Sequence, residues 1–189
     1  MLHTSHAEDF LDLVSLGLIA DVMDTRDFET QYYIQEGLKH VRNPFYLAMI
    51  NKDGMHFKSG EIPLMNDVAW YVAPFINAVN RVGTVEEKII IFEAMLDFKA
   101  YTQIPSTKRG CKGMMETLVE QACRVATKVK NRQNDLVDEL LVVVEKIIKE
   151  QNLLDNQVLI IPFESGSKSL NGLVANKLSN RYQRPTLVL

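Results

Sequence analysis

Cysteine is nearly absent: Cys111 and Cys123 are the only two in 189 residues. Two thiols cannot make a disulfide framework, and reduced cysteines in a cytosolic protein are the expectation. No run of about 18 uninterrupted apolar residues occurs, so no transmembrane helix is expected. The opening MLHTSHAEDF lacks a basic region followed by an apolar stretch, and no secretory signal is visible in it. Histidine is scarce, at positions 3, 6, 40 and 56. His3 and His6 share an HxxH spacing but lie at a terminus expected to fray, with no cysteine beside them, so a zinc site is not expected. The nucleophile elbow and the GxGxxG fingerprint are also missing. Gly166-Ser-Lys-Ser169 looks like the end of a phosphate loop without the GxxxxGK[ST] spacing that mechanism requires.

What is present is a globular composition. Apolar residues make up 47% and charged residues 24% of the chain, enough for a core in one ordinary domain or two small ones. The net charge of −3 conceals a division. Residues 1–98 carry −8, residues 99–133 carry +6, and residues 134–189 carry −1. A basic middle in an acidic protein is either a surface that tracks phosphates or the solvated outer face of a helix.

The hydrophobic pattern predicts a mainly α protein with a small α/β portion. Residues 9–23 read as a buried helix, because apolar side chains fill nearly every position. DTRDFETQYYIQEGLKHV restarts a helix, with Asp24 or Asp27 as its cap and Gly37 weakening its end. Pro44 opens another helix, which Asn51-Lys-Asp-Gly54 ends as a turn. Residues 60–66 read as irregular. DVAWYVAPFINAVNRVG is a helix broken or kinked at Pro74. Thr84 caps TVEEKIIIFEAMLDF, and a loop holding Pro105, Gly110 and Gly113 follows.

From Met114 to Glu150 the pattern predicts one long helix. Its seam is Met115, Leu118, Ala122, Val125, Val129, Leu136, Leu140, Val143 and Ile147, with a skipped place in the polar stretch 130–135. That gap suggests an adaptor helix between two bodies. After it, VLIIPF is a short strand, ESGSKS a turn, LNGLVANKLSNRY a helix and PTLVL a second strand. That is the start of a βαβ unit, too small to stand alone.

Two features resist a purely structural explanation. Asp21 sits among Leu16, Leu18, Ile19, Ala20, Val22 and Met23, where an unpaired carboxylate would be costly. A metal, an arginine or backbone donors would have to neutralise it. Asn77 and Arg81 are four apart on a helix and face the same way. Together they can hold a phosphate oxygen, or the amide can serve as a helix-packing hydrogen bond.

At these residues the sequence resembles the RecJ-like single-strand-specific DNA exonucleases, in a phage-type form, of the DHH phosphoesterase superfamily. Leu13-Val-Ser-Leu-Gly-Leu-Ile-Ala-Asp-Val22 is similar to the aspartate motif that closes the core of the DHH domain. Ala73-Pro-Phe-Ile-Asn-Ala-Val-Asn-Arg-Val-Gly83 is similar to the later alanine-proline-arginine motif. Ser169-Leu-Asn-Gly-Leu-Val-Ala-Asn-Lys-Leu178, followed by Arg181-Tyr-Gln-Arg-Pro185, resembles the opening of the DHHA1 domain. The three fall in the family's order, with the long helix between the second and third. The resemblance implies the C-terminal part of a DHH domain over 1–104, a loop and connecting helix over 105–155, and the first β-α-β of DHHA1 over 156–189.

It also implies 5′-to-3′ hydrolysis of single-stranded DNA with Mn²⁺ or Mg²⁺, with a single-strand-binding protein as a further partner, in DNA recombination and repair. Hard divalent cations take oxygen ligands, and a two-metal centre needs several carboxylates. By carry-over Asp21 is a metal ligand, and Asn77 with Arg81 lies near a phosphate. Arg124, Lys128, Lys130 and Arg132 flank the DNA. The sequence departs from the family where Phe75 replaces an arginine and Asn80 a glycine. The first aspartate motif and the Asp-His-His motif are not supplied by residues 1–20, and the histidine-bearing motif closing DHHA1 would lie past Leu189. This segment alone is therefore expected to bind no metal and to be inactive. The alternatives are a non-catalytic DNA-binding or scaffolding relative, a phosphoesterase of short or cyclic nucleotides, and a helical oligomerisation module.

Overall fold

The computed structural model describes residues 6–52, 62–163 and 168–189. They form two compact units, Met1–Lys130 and Asn131–Leu189. The first holds a 3₁₀ turn (Ala7–Phe10), α1 (Leu11–Ala20), α2 (Phe28–Lys39), α3 (Pro44–Asn51), α4 (Met65–Tyr71), α5 (Ala73–Val82), α6 (Val85–Ala94), α7 (Asp97–Ala100), β1 (Gln103–Pro105) and β2 (Met115–Thr117). The long helix α8 (Leu118–Glu150) belongs to both units, its residues to Lys130 to the first and the remainder to the second.

Short polar side chains start α2, α3 and α6 by satisfying backbone amides that have no intrahelical partner. Asp27 accepts from the Thr30 amide at 3.1 Å. Asn43 accepts from the amides of Phe45 and Tyr46 at 3.1 and 3.2 Å, with Pro44 in the first turn where its missing donor costs nothing. Thr84 and Glu87 make a reciprocal capping box. The break at Pro74 falls where expected, between α4 and α5 at Val72.

α3 drives into the centre of the first unit, with Phe45 and Tyr46 wholly buried and Met49 nearly so. Burying each large side chain contributes roughly 1.5–3 kcal/mol. Around them lie Val68 of α4, Val72 at the α4–α5 break, Ala78 and Val79 of α5, and Ala122, Ala126 and Val129 of α8. α1 and α2 pack closely because Gly37 lacks a side chain. A Cβ there would meet the Leu11 carbonyl oxygen at 2.1 Å and Ser15 Cβ at 2.6 Å. The expected weakness of Gly37 is thus a close approach between two helices.

Several expectations are corrected. The apolar run 9–23 is not one buried helix: α1 ends at Ala20, and Phe10, Val14, Val22 and Met23 are exposed. Leu16 and Ile19 do enter the core, so α1 has a wet side that its composition conceals. The loop around Gly110 and Gly113 is the tip of an antiparallel hairpin, with Gln103 opposite Thr117 and Pro105 opposite Met115. Met115 is therefore strand, and α8 begins at Leu118.

The seam of α8 also shifts. Buried positions beyond Val129 are Gln133, Val137, Leu141, Val144 and Ile148. The expected Leu136, Leu140 and Ile147 are only half-buried, and Val143 is exposed. Gln133, 1% exposed, fills the place that looked skipped. Steps of four from Val129 through Gln133 to Leu141 run unbroken once an amide is allowed into the seam.

In the second unit, β3 (Leu159–Ile161), α9 (Asn171–Tyr182) and β4 (Thr186–Val188) form the expected βαβ crossover. The strands are parallel, pairing Leu159 with Thr186 and Ile161 with Val188. Leu159, Ile161, Leu170, Val174 and Leu178 are its apolar centre. The turn expected at ESGSKS falls partly in 164–167, outside the described residues, as do His3, His56 and much of the turn after Asn51.

Candidate nucleic-acid interface

α1 closes with a left-handed cap. The amide of Met23 donates to the Leu18 carbonyl and that of Val22 to the Ile19 carbonyl, both at 3.1 Å. Val22 takes φ +53° to do so, a conformation costly for a β-branched residue. Asp21 sits on this cap and is exposed. The inference that it is a buried carboxylate in need of neutralisation is therefore wrong, because the helix ends one residue before it and Val22 and Met23, which follow it, are exposed too.

The buried carboxylate of this region is Asp12, which the sequence did not single out. Only 4% exposed, it accepts from the amides of Leu13, Arg42 and Asn43 at 2.8, 2.9 and 2.7 Å. Beside it the Tyr46 hydroxyl is buried without a hydrogen-bond partner of good geometry. Ser15, the nearest candidate, commits its proton to the Asp12 carbonyl at 2.7 Å, and burial pushes the Tyr46 phenol well above its ordinary value.

The structure does bring Asn77 to Asp21. The Asn77 amide donates to the carbonyl of Ala20 at 3.1 Å, so the packing role left open for it is the one observed. That bond fastens α5 to the last residue of α1. Arg81, one turn further along α5, is exposed. A carboxylate, an amide and a guanidinium thus come from two elements tied at Ala20. A groove of about 1060 Å³ lies elsewhere, lined by Asp9, Tyr32, Glu36, His40 and Arg42 among others, and by none of these three. Its charges are largely spent in pairs, Asp9 with Arg42 and Glu36 with Lys39.

The basic section does not lie on one helix face. Arg124 is engaged by Glu116, whose carboxylate also accepts from the Thr107 amide at 3.2 Å. Arg124 and Gln121 both reach the Thr107 hydroxyl, at 3.3 and 3.4 Å. Arg124 thereby braces the hairpin through Glu116 and Thr107. Lys128 is exposed, whereas Arg132 is half-buried. Lys99 is paired with Glu93. Lys130 is half-buried, and the remaining three cations, Lys108, Arg109 and Lys112, stand on the hairpin tip. Their clustering in a nine-residue gap between short strands was the signal for them, but it was averaged into the long helix.

The Arg181-Tyr-Gln-Arg-Pro185 segment is structural in its polar contacts. Arg184 donates to the carbonyls of Leu154 and Asn156, the latter at 2.6 Å, while Arg181 pairs with Glu145. Lys177 pairs with Asp138 at 2.9 Å.

No three His, Cys, Asp or Glu side chains gather as a metal site among the described residues. The donor set around Asp21 is one carboxylate, an amide bonded to backbone and a cation, which does not fit a two-metal centre by itself.

No protein-family model matches the chain. Among solved structures, it superposes over its whole length on exonuclease RecJ bound to manganese, with a TM-score of 0.65 and 19% identity, covering 42% of that chain. RecJ from Thermus thermophilus in complex with Mg²⁺ gives a TM-score of 0.63, also at 19% identity, with 26% of that chain covered. The fold is that of RecJ. A Bacillus subtilis (strain 168) protein carrying the name SPbeta prophage-derived single-strand DNA-specific exonuclease YorK is 38% identical over 189 residues, 99% of this chain and 32% of its own length. The single-stranded-DNA-specific exonuclease RecJ of the same strain is 24% identical over 184 residues, 20% of its length. The chain is thus related to the RecJ-like single-strand-DNA-specific exonucleases along nearly all its length, and spans at most about a third of the relatives it matches. Among the described residues, no helix is long and apolar enough to cross a membrane.

Proposed function

We propose that this chain forms part of a metal-dependent 5′-to-3′ single-stranded-DNA exonuclease, supplying a DNA-binding portion and one edge of its catalytic centre. The observation that carries the reading is the end-to-end similarity to the YorK relative, 38% over 99% of this chain. The fastening of Asn77 to Ala20, beside Asp21, supports it locally. In this reading Asp21 is the carboxylate that the segment contributes to Mn²⁺ or Mg²⁺, completed by carboxylates from elsewhere in a larger protein. Arg81, with Asn77 beside it, meets a phosphate of the DNA, and Arg124, Lys128 and Arg132 border the strand. Over 1–104 the segment corresponds to the end of a DHH domain, and over 156–189 to the beginning of DHHA1.

A single carboxylate cannot hold two hard cations, so the purified 189-residue chain is expected to bind single-stranded DNA without cutting it. Incubation with 5′-labelled single-stranded DNA and Mn²⁺ should release no nucleotides. Anisotropy should show binding that weakens steeply with salt, as counterion release requires. Robust Mn²⁺-dependent release would overturn the dependence on other segments. Absent or salt-independent binding would overturn the DNA-binding role.

A further inference from the structure

The β1–β2 hairpin projects a net-positive tip from the first unit. Between Pro105 and Met115 the chain carries Lys108, Arg109 and Lys112 and no acidic residue. The nearest acid along the hairpin, Glu116, is already taken by Arg124. The tip is ordered and not splayed. The Ser106 amide donates to the Met114 carbonyl at 2.8 Å, that of Cys111 to Lys108 at 3.1 Å and that of Met114 to Cys111 at 3.0 Å. Gly110 and Gly113 both take φ +84°, with nothing within 4 Å of where a Cβ would stand. The turn is therefore tight and open to approach.

A second feature adjoins it. α7 leads directly into β1 and exposes two aromatic rings, Phe98 at 79% and Tyr101 at 66%. They stand three residues apart where α7 gives way to the hairpin. Exposed aromatic rings at the base of a hairpin whose tip is cationic match the requirements of an unpaired nucleic-acid strand, whose bases offer π faces and whose backbone offers regular negative charge. A duplex hides those faces, so the aromatic part would add nothing to duplex binding.

We propose that the hairpin and α7 together form a single-stranded nucleic-acid contact, with Lys108, Arg109 and Lys112 on phosphates and Phe98 and Tyr101 stacking on bases. Arg124 acts as a positioning residue, holding the tip through Glu116 and Thr107. The proposal rests on the DNA-binding reading above and assigns it to residues outside the Asp21–Asn77–Arg81 edge. Because the tip is braced before binding, little ordering is lost when a strand arrives.

The test uses the full chain and a fluorescein-labelled oligothymidylate, read by anisotropy over a salt series. The K108A/R109A/K112A variant should bind about tenfold or more weakly at low salt. Its log–log salt slope should be shallower by about 2, since each phosphate neutralised on a single strand contributes about 0.7. The F98A/Y101A variant should lose about tenfold in affinity with the slope unchanged, because stacking displaces no counterions. Circular dichroism melts check that each variant folds; all five side chains are exposed. Wild-type affinity and slope in both folded variants would overturn the hairpin proposal and leave the DNA-binding reading standing. A wild-type chain that does not bind would overturn both. Equal loss on a matched duplex in F98A/Y101A would overturn the stacking role.

Discussion

The Asp12 carboxylate accepts the Asn43 amide at 2.7 Å across thirty-one residues of chain. Asn43 in turn caps α3 and reaches the Met95 carbonyl at 2.7 Å through its side-chain amide. One buried acid thereby fixes where α3 begins relative to α1, and one cap ties that point to the end of α6. The aromatic core of the first unit follows from this placement, because Phe45 and Tyr46 come directly after Pro44 in the same turn.

Replacing Asp12 with alanine should destabilise the fold by about 2–4 kcal/mol, since the Arg42 and Asn43 amides would be left buried without acceptors. Asp12→Asn keeps an acceptor oxygen and should lose less. Urea midpoints at constant m-value report the difference; an unchanged midpoint for Asp12→Ala would contradict the assignment.

Gly37→Ala should destabilise although alanine is the better helix former. Propensity favours the change by about 1 kcal/mol, but the new methyl would sit 2.1 Å from the Leu11 carbonyl oxygen. Forcing α1 and α2 apart costs about 1–3 kcal/mol or more. A lower thermal midpoint is the expected result.

Val22→Gly should do the reverse. An exposed valine at φ +53° gives up no core contact when removed, and relief of the left-handed strain should raise stability by about 1 kcal/mol. Thermal melts of the two chains side by side measure it.

Arg124→Ala should loosen the hairpin rather than unfold the unit. Glu116 would keep a nearly buried carboxylate without its cation, costing about 1–2 kcal/mol for a partly exposed pair. Amide exchange over 106–117 should accelerate while α3 stays protected. Glu116→Gln combined with Arg124→Ala should recover part of the loss.

Cys123 should alkylate far more slowly than a free thiol at pH 8. Burial pushes its thiol up to about 11, against the lowering influence of Lys52. A higher pKa means less thiolate, by about 100-fold relative to an ordinary cysteine. Mass spectrometry after timed iodoacetamide treatment separates it from Cys111 on the hairpin tip.

The helices were legible because their start signals are local: Asp27 and Thr84 each accept an amide three residues on, and Pro44 stands in the first turn of α3. The βαβ order was legible for the same reason. What escaped depended on distance along the chain. Asp12 works through amides about thirty residues on, and its single position among apolar neighbours gave no hint of them. Asp21 has the same apolar company and is exposed, so composition around an acid did not decide its burial. The seam of α8 was misphased because Gln133 was read as a gap, when a buried amide can occupy a core position. The hairpin went unread because three-residue strands have too little alternation to register. The meeting of α1 and α5 at Ala20 leaves no mark in the periodicity of either helix.

The left-handed cap of α1 has an electrostatic corollary. Its C-terminal carbonyls concentrate partial negative charge, equivalent to about half an elementary charge, and Asp21 adds a full one at that same end. Helices ordinarily place lysine or arginine there. Acid at the carboxyl end, next to a valine in a conformation suited to glycine, disfavours the helix twice over in adjacent residues. The field at this end of α1 favours a positive charge placed against it.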